Sequence, residues 1–167
     1  MRESVPGPVS PRRTVLDWSF EAISLAALMG TLALPIWRWG DLPAKVPQHF
    51  GPSGTPDGWG SKAGLAILPL ISLVVYLGLT LASRYQQLIN LPSSADRERP
   101  EVRQMLLTFV TVVKAEVTVL LFYITWATVE TALGHANGLG RSLALLTPIT
   151  IFGTIALYLW KLKPYRR

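Results

Sequence analysis

His49 and Asp57 are the residues of this chain whose types and spacing best suit chemistry, because they lie eight positions apart in one polar segment. A histidine beside a carboxylate can make a general acid/base pair. Ser61 follows closely, but the sequence shows no nucleophile with a partnered base. Two structural roles stay open as alternatives: His49 tying its loop to a backbone carbonyl, and Asp57 capping its own turn.

These residues belong to a segment rich in turn-forming residues, which we expect to be an ordered loop over residues 39–62. Its scaffold consists of Pro47, Gly51, Gly54, Pro56, Gly58 and Gly60. The groups that it would present to a ligand are His49, Phe50, Asp57, Trp59, Ser61 and Lys62. We expect the aromatic rings of Phe50 and Trp59 to anchor the loop on lipid headgroups.

Apolar runs flank the loop and predict a membrane protein. Half of the 167 residues are hydrophobic and 16% are charged, below the soluble average of about 25%. The runs approach the roughly 20 residues that cross a hydrocarbon core, with expected spans at residues 18–38, 63–84, 112–133 and 142–160. The predicted fold class is all-α, a four-helix transmembrane bundle within residues 14–163 that follows a disordered tail over residues 1–13.

Fifteen of the sixteen basic residues flank these runs unevenly, and Lys114 lies within the third run. Their placement argues against nucleic acid as the partner and sets an orientation. Eleven fall in the tail, between the second and third runs, or after the fourth: Arg2, Arg12, Arg13, Arg84, Arg97, Arg99, Arg103, Lys161, Lys163, Arg166 and Arg167. Four fall in the other two loops: Arg38, Lys45, Lys62 and Arg141. By the positive-inside rule, both termini of this multi-pass plasma-membrane protein are cytoplasmic and the loop at residues 39–62 is extracytoplasmic.

A secretory signal peptide is the alternative interpretation of the N-terminus. The first apolar run is longer than the usual signal core of about 7–15 residues, and it carries Glu21. Both features favour a membrane span.

Four charged residues fall in or near the expected spans: Glu21, Lys114, Glu116 and Glu130. Nothing breaks a helix from Glu101 to Leu133, so one rod of about 50 Å could exceed the thickness of the bilayer. A crossing that begins near Lys114 leaves Lys114 and Glu116 at the cytoplasmic boundary. This placement costs less free energy than burying both charges in the middle of the membrane.

Glu21 is then expected near the depth of Lys114. Three interpretations remain: a charge relay or gating pair, a structural ion pair that orders the bundle, or two charges that reach the interface separately.

A metal site needs three or four ligands. The expected outer side offers Asp41, His49, Asp57, Glu130 and His135. His49 and His135 lie in the two outer loops and could meet, and the chain has no cysteine to supply a thiolate. We predict neither a metal nor a cofactor.

A longer pattern surrounds the candidate residues: Leu42-Pro43, then Val46-Pro47-x-His49-Phe50-Gly51, then Gly54-x-Pro56-Asp57-Gly58-Trp59-Gly60-Ser61-Lys62. It resembles the domain of unknown function that begins the SdpI-like bacterial immunity proteins, specifically over residues 42–69 and more loosely as far as Tyr123. The resemblance implies a bacterial or archaeal multi-span protein, related to one that protects a cell from a secreted membrane-active peptide and signals to a repressor. SdpI-like proteins generally carry a further membrane module, whereas one expected helix follows here.

Three functions remain. The first is an extracytoplasmic loop that binds or senses a peptide or small molecule, in immunity or signalling. The second is a subunit of a small transporter, which the intramembrane charges favour and which would need a homo-oligomer to form a path. The third is a membrane enzyme that uses the loop residues His49, Asp57, Ser61 and Lys62. The lipid bilayer is a partner in all three.

Overall fold

The computed structural model describes residues 12–85 and 99–165. Its elements in chain order are α1 (Val15–Trp37), β1 (Lys45–Phe50), β2 (Pro56–Ser61), a 3-10 helix (Lys62–Ala66), α2 (Ile67–Arg84), α3 (Pro100–Ala132), α4 (Arg141–Leu162) and a 3-10 helix (Lys163–Tyr165). The expected tail lies outside the described residues except for Arg12 and Arg13, and so do residues 86–98 between α2 and α3.

Three helical stretches within the described residues are long and apolar enough to cross a membrane. They are Val15–Trp37, Lys62–Arg84 and Pro100–Ala132. The prediction of a mostly helical membrane protein is therefore confirmed, and α3 is the single rod of 33 residues that its sequence allows. The fourth α-helix has 22 residues and contains Pro148.

α1 begins at a capping box formed by Thr14 and Asp17. The Thr14 hydroxyl oxygen accepts a hydrogen bond from the Asp17 amide at 3.2 Å, and Asp17 Oδ2 accepts one from the Thr14 amide at 2.7 Å. Such a cap contributes about 1 kcal/mol to helix stability. Gln104 of α3 donates to the same Asp17 oxygen at 3.1 Å, so the cap also joins α3 to the start of α1.

α3 packs against α1, α2 and α4 and carries a series of buried threonines. Thr111, Thr118, Thr125 and Thr131 each donate a hydrogen bond to the carbonyl one turn earlier. These bonds satisfy hydroxyls that would otherwise be unpaired in apolar surroundings. Gly30 of α1 lies against the Phe122 ring, where a Cβ would overlap the ring, and the two helices therefore approach closely.

The segment between α1 and α2 contains an antiparallel β-hairpin, Lys45–Ser61, which the all-α prediction did not include. Lys45 pairs with Ser61 and Phe50 with Pro56, and the register is irregular on both sides of His49. Glycine and proline are depleted in strands, which explains why the sequence concealed it. The turn closes through the Gly51 amide, which donates to the Thr55 carbonyl at 2.9 Å.

A buried apolar cluster fixes the base of the hairpin to the helices. It consists of Leu42, Val46, Leu65 and Val129, with Leu34, Ala132 and Leu133 packed around it. Val46 and Val129 are completely buried, and burying such a side chain contributes about 1.5–3 kcal/mol. The hairpin is therefore packed as part of the helical core.

Candidate functional site

The tip of the hairpin contacts the loop between α3 and α4 through backbone atoms. The Leu139 amide donates a hydrogen bond to the Gly54 carbonyl at 2.8 Å. Gly54 has φ +79°, and a Cβ there would lie 3.0 Å from the Gly140 carbonyl oxygen. Gly138 has φ +133°, and a Cβ there would overlap the Gly54 carbonyl. Both positions therefore require glycine.

His49 and Asp57 form an exposed cross-strand pair near this tip. Their Nδ1 and Oδ1 atoms are 2.5 Å apart, and the side chains are 73% and 51% exposed. In the structure the His49 ring therefore meets the Asp57 carboxylate. The two alternative roles, a contact of His49 with a backbone carbonyl and self-capping by Asp57, differ from this arrangement. Strand pairing explains both differences. Gly58 of β2 lies opposite His49 of β1, and this register brings the His49 and Asp57 side chains together at one edge of the hairpin.

The two aromatic candidates have different environments. Trp59 is 55% exposed, so its expected role as a membrane anchor stays a prediction. Phe50 is partly buried and lines a cavity of about 210 Å³ beneath the hairpin, together with Ile67 and Ile124. It thus faces α2 and α3.

Ser61 and Lys62 lie at the base of the hairpin. Ser61 is three residues along the strand from Gly58, about 10 Å, and its hydroxyl oxygen caps the following 3-10 helix by accepting from the Ala63 amide at 3.3 Å. The Lys62 ammonium donates to the Trp39 carbonyl at 3.3 Å and lies 4.8 Å from the centre of that indole. The structure therefore separates these candidates from His49 and Asp57.

Gln48 is a structural residue that the sequence did not reveal. Its amide donates to the Ser61 carbonyl at 3.0 Å, and its side chain fills the space where a Cβ at Gly60 or Gly64 would stand. Gly60 thus provides room for the Gln48 side chain, and its φ is not positive.

A second group of candidates meets between the helices. Lys114 is completely buried, and its ammonium lies 2.8 Å from both carboxylate oxygens of Glu21 and 3.1 Å from the Thr80 hydroxyl. Tyr76 and Arg13 each donate to Glu21 at 2.8 Å. The expected proximity of Glu21 and Lys114 is confirmed. Their three other partners were not predicted, and Arg13 had been placed in the tail.

These contacts satisfy the buried charges. The three N–H donors of Lys114 have three acceptor atoms, and Glu21 accepts from three different side chains. The attraction within a buried ion pair outweighs the cost of desolvating its charges only when the remaining hydrogen bonds are also made, as they are here. The cluster joins α1, α2 and α3 and is suited to a structural role.

The remaining carboxylates lie apart from this cluster. Glu116 accepts a hydrogen bond from the Thr154 hydroxyl at 2.6 Å. Glu130 lies 3.0 Å from Nδ1 of His135, so each histidine of the chain pairs with a different carboxylate. Across residues 12–85 and 99–165, no three metal-ligating side chains of His, Cys, Asp or Glu come together.

Residues 26–73 match the family described as a domain of unknown function (DUF1648). This stretch carries a DUF1648 domain. It covers the second half of α1, the whole hairpin and the first turns of α2, whereas Lys114 and Glu116 lie outside it. The resemblance to a domain of unknown function is thus confirmed, and the further link to SdpI-like proteins stays a prediction.

An uncharacterised protein of Archaeoglobus fulgidus is 38% identical to the chain over 79 residues. The match covers 42% of this chain and 43% of that protein, so the chain spans less than half the length of this relative. No solved structure matches the chain at a significant level.

Proposed function

We propose that this chain is a multi-pass membrane protein that binds or senses a ligand through the hairpin of its DUF1648 domain, in immunity or signalling. In this proposal α4 is a fourth span, both termini are cytoplasmic, and the hairpin lies on the extracytoplasmic side. The uneven distribution of basic residues supports that orientation. The 22 residues of α4 are long enough to cross the hydrocarbon core.

The observation that carries the proposal is that the hairpin is held at both ends while its chemical groups stay exposed. Val46 and Leu65 fix its base, and the Gly54 carbonyl fixes its tip. Between them, His49 and Asp57 face solvent. A scaffold that is already ordered loses little conformational entropy when a ligand binds, so more of the contact energy appears as affinity.

The exposed groups indicate the class of ligand. The His49–Asp57 pair offers hydrogen bonding and charge, and the exposed Trp59 indole offers apolar area with one N–H donor. Tryptophan dominates many binding interfaces because it buries a large surface. A peptide or small molecule with polar and apolar parts, bound at the membrane surface, matches this combination.

A protection assay tests the proposal. Cells expressing the full chain are exposed to a panel of membrane-active peptides, and survival is compared for wild type, His49→Ala, Asp57→Ala and Trp59→Ala. We expect each variant to accumulate normally and to lose protection. Lys45→Ala, an exposed change in the same hairpin, is the matched control. Full protection by all three variants at wild-type protein level would contradict the hairpin as the binding face.

A transporter subunit is the second candidate, and Glu116 is the observation that favours it. Its carboxylate lies in a helix suited to crossing a membrane, where charged side chains commonly mark a substrate path. Loss of function in Glu116→Gln, with full function in the hairpin variants, would favour transport over sensing.

A further inference from the structure

A cleft of about 380 Å³ lies between α3 and α4, within the size range of sites for small molecules. Apart from Glu116, its walls are mostly apolar and include Val119, Leu120, Leu146 and Ile151. Leu146 is exposed on α4, and the cleft is therefore open at the side of the helix pair. With α4 as the fourth span of the proposed function, that side faces the lipid.

The Glu116 carboxylate has one oxygen with a partner and one without. Oε1 accepts from the Thr154 hydroxyl at 2.6 Å, whereas Oε2 is buried and has no hydrogen-bond partner among the described residues. An unpaired carboxylate oxygen in apolar surroundings carries a large free-energy cost. The site therefore favours an incoming donor, above all a cationic one.

No described side chain along the cleft donates a hydrogen bond to Oε2. The side chains described along it include no Lys, Arg or His. The Tyr123 hydroxyl donates to the Leu139 carbonyl at 2.9 Å, and the Thr150 hydroxyl donates to the Thr147 carbonyl at 3.0 Å. Both hydroxyl protons are thus used elsewhere.

We propose that this cleft binds an amphiphilic primary ammonium ion, whose charged head contacts Glu116 Oε2 and whose hydrocarbon chain lies along the apolar walls. A primary ammonium has three N–H donors, so it offers the unpaired oxygen both charge and a hydrogen bond. The distance along α3 from Glu116 to Tyr123 is about 10 Å, which gives a short alkyl chain apolar walls along its length. The ligand enters from the bilayer through the open side near Leu146.

Equilibrium dialysis of labelled octylammonium tests this site, with the full chain in phosphatidylcholine nanodiscs and empty nanodiscs subtracted. Octanol serves as the uncharged ligand of similar shape. Glu116→Gln keeps an oxygen that can accept from Thr154 and removes the charge. We expect it to bind octylammonium at least about tenfold more weakly and to bind octanol as wild type does.

Two further variants complete the experiment. Glu101→Gln makes the same charge change in the exposed first turn of α3 and is expected to bind as wild type does. Leu120→Trp fills the cleft while keeping the carboxylate, and is expected to lose both ligands. Equal octylammonium binding by wild type and Glu116→Gln, or a wild type that does not prefer octylammonium over octanol, would overturn the proposal. The comparison of octylammonium with octanol in the wild-type protein tests the proposal even if a variant fails to fold.

Discussion

The ammonium group of Lys114 lies 2.8 Å from both carboxylate oxygens of Glu21, although the two residues are 93 positions apart in sequence. Lys114 has no exposed surface, and Glu21 is mostly buried. Their contact joins the middle of α3 to the first turns of α1. Thr80 and Tyr76 bring α2 into the same cluster.

Replacing Glu21 and replacing Lys114 are expected to lower the free energy of unfolding by unequal amounts. Lys114→Ala leaves Glu21 with Arg13 and Tyr76, which both still donate hydrogen bonds to it. Glu21→Ala leaves a buried ammonium with the Thr80 hydroxyl and the face of the Tyr76 ring, and without a carboxylate. Breaking a buried pair costs about 3–5 kcal/mol, and we expect Glu21→Ala to reach that range and Lys114→Ala to fall below it. Thermal unfolding in detergent measures both. The double variant should be less harmful than the sum of the two, and strict additivity would show that the charges do not interact.

Replacing Gly54 with alanine should loosen the tip of the hairpin. The φ of +79° is strained for alanine, and the added Cβ would press on the Gly140 backbone. Such strain costs about 1–3 kcal/mol, measurable as a lower unfolding temperature. Gly78→Ala is the control, because nothing lies within 4 Å of the added Cβ and alanine favours the interior of a helix. Equal unfolding temperatures for Gly54→Ala and wild type would argue against a tightly docked tip.

His49→Ala and Asp57→Ala should leave the fold almost unchanged. The two side chains are largely exposed, and exposed ion pairs contribute about 0–1 kcal/mol. We expect unfolding temperatures close to wild type for both variants, so that any loss of protection reports on binding. A large fall in unfolding temperature would instead assign the pair a structural role.

Single cysteines test the proposed orientation, and the natural chain has no cysteine to interfere. Ser53→Cys at the tip of the hairpin should react with an impermeant thiol reagent in intact cells. Ser94→Cys lies between α2 and α3, on the side of the membrane to which eleven of the basic residues are assigned. It should react only after the cells are broken. The opposite labelling pattern would reverse the whole topology.

Properties that depend on position along the chain could be predicted from the sequence. The length of α3 follows from the lack of glycine and proline between Glu101 and Leu133, and the shared depth of Glu21 and Lys114 follows from counting residues inward from the same side. Rotation about the helix axes decides which other groups meet them. Tyr76 and Thr80 were missed for that reason, whereas Arg13 was missed because it had been placed in the tail.

The hairpin illustrates a different limit. Pro47, Pro56 and the glycines around them conceal the alternation by which strands are recognised, so the segment could be predicted only as an ordered loop. The pairing of His49 with Asp57 depends on the irregular register at His49. That register is set by packing and by the turn, which spacing in sequence does not specify.

The contact between Gly54 and Gly138 places two distant stretches of the chain in one small volume. A side chain on either residue would overlap the backbone of the opposite stretch. An extra residue in either stretch would separate the tip of the hairpin from the loop after α3. We therefore expect natural variation at the tip and in the loop after α3 to be coupled. The DUF1648 domain is thus constrained by residues beyond its own boundary, and grafting it onto another helical bundle would require the loop to be transferred with it.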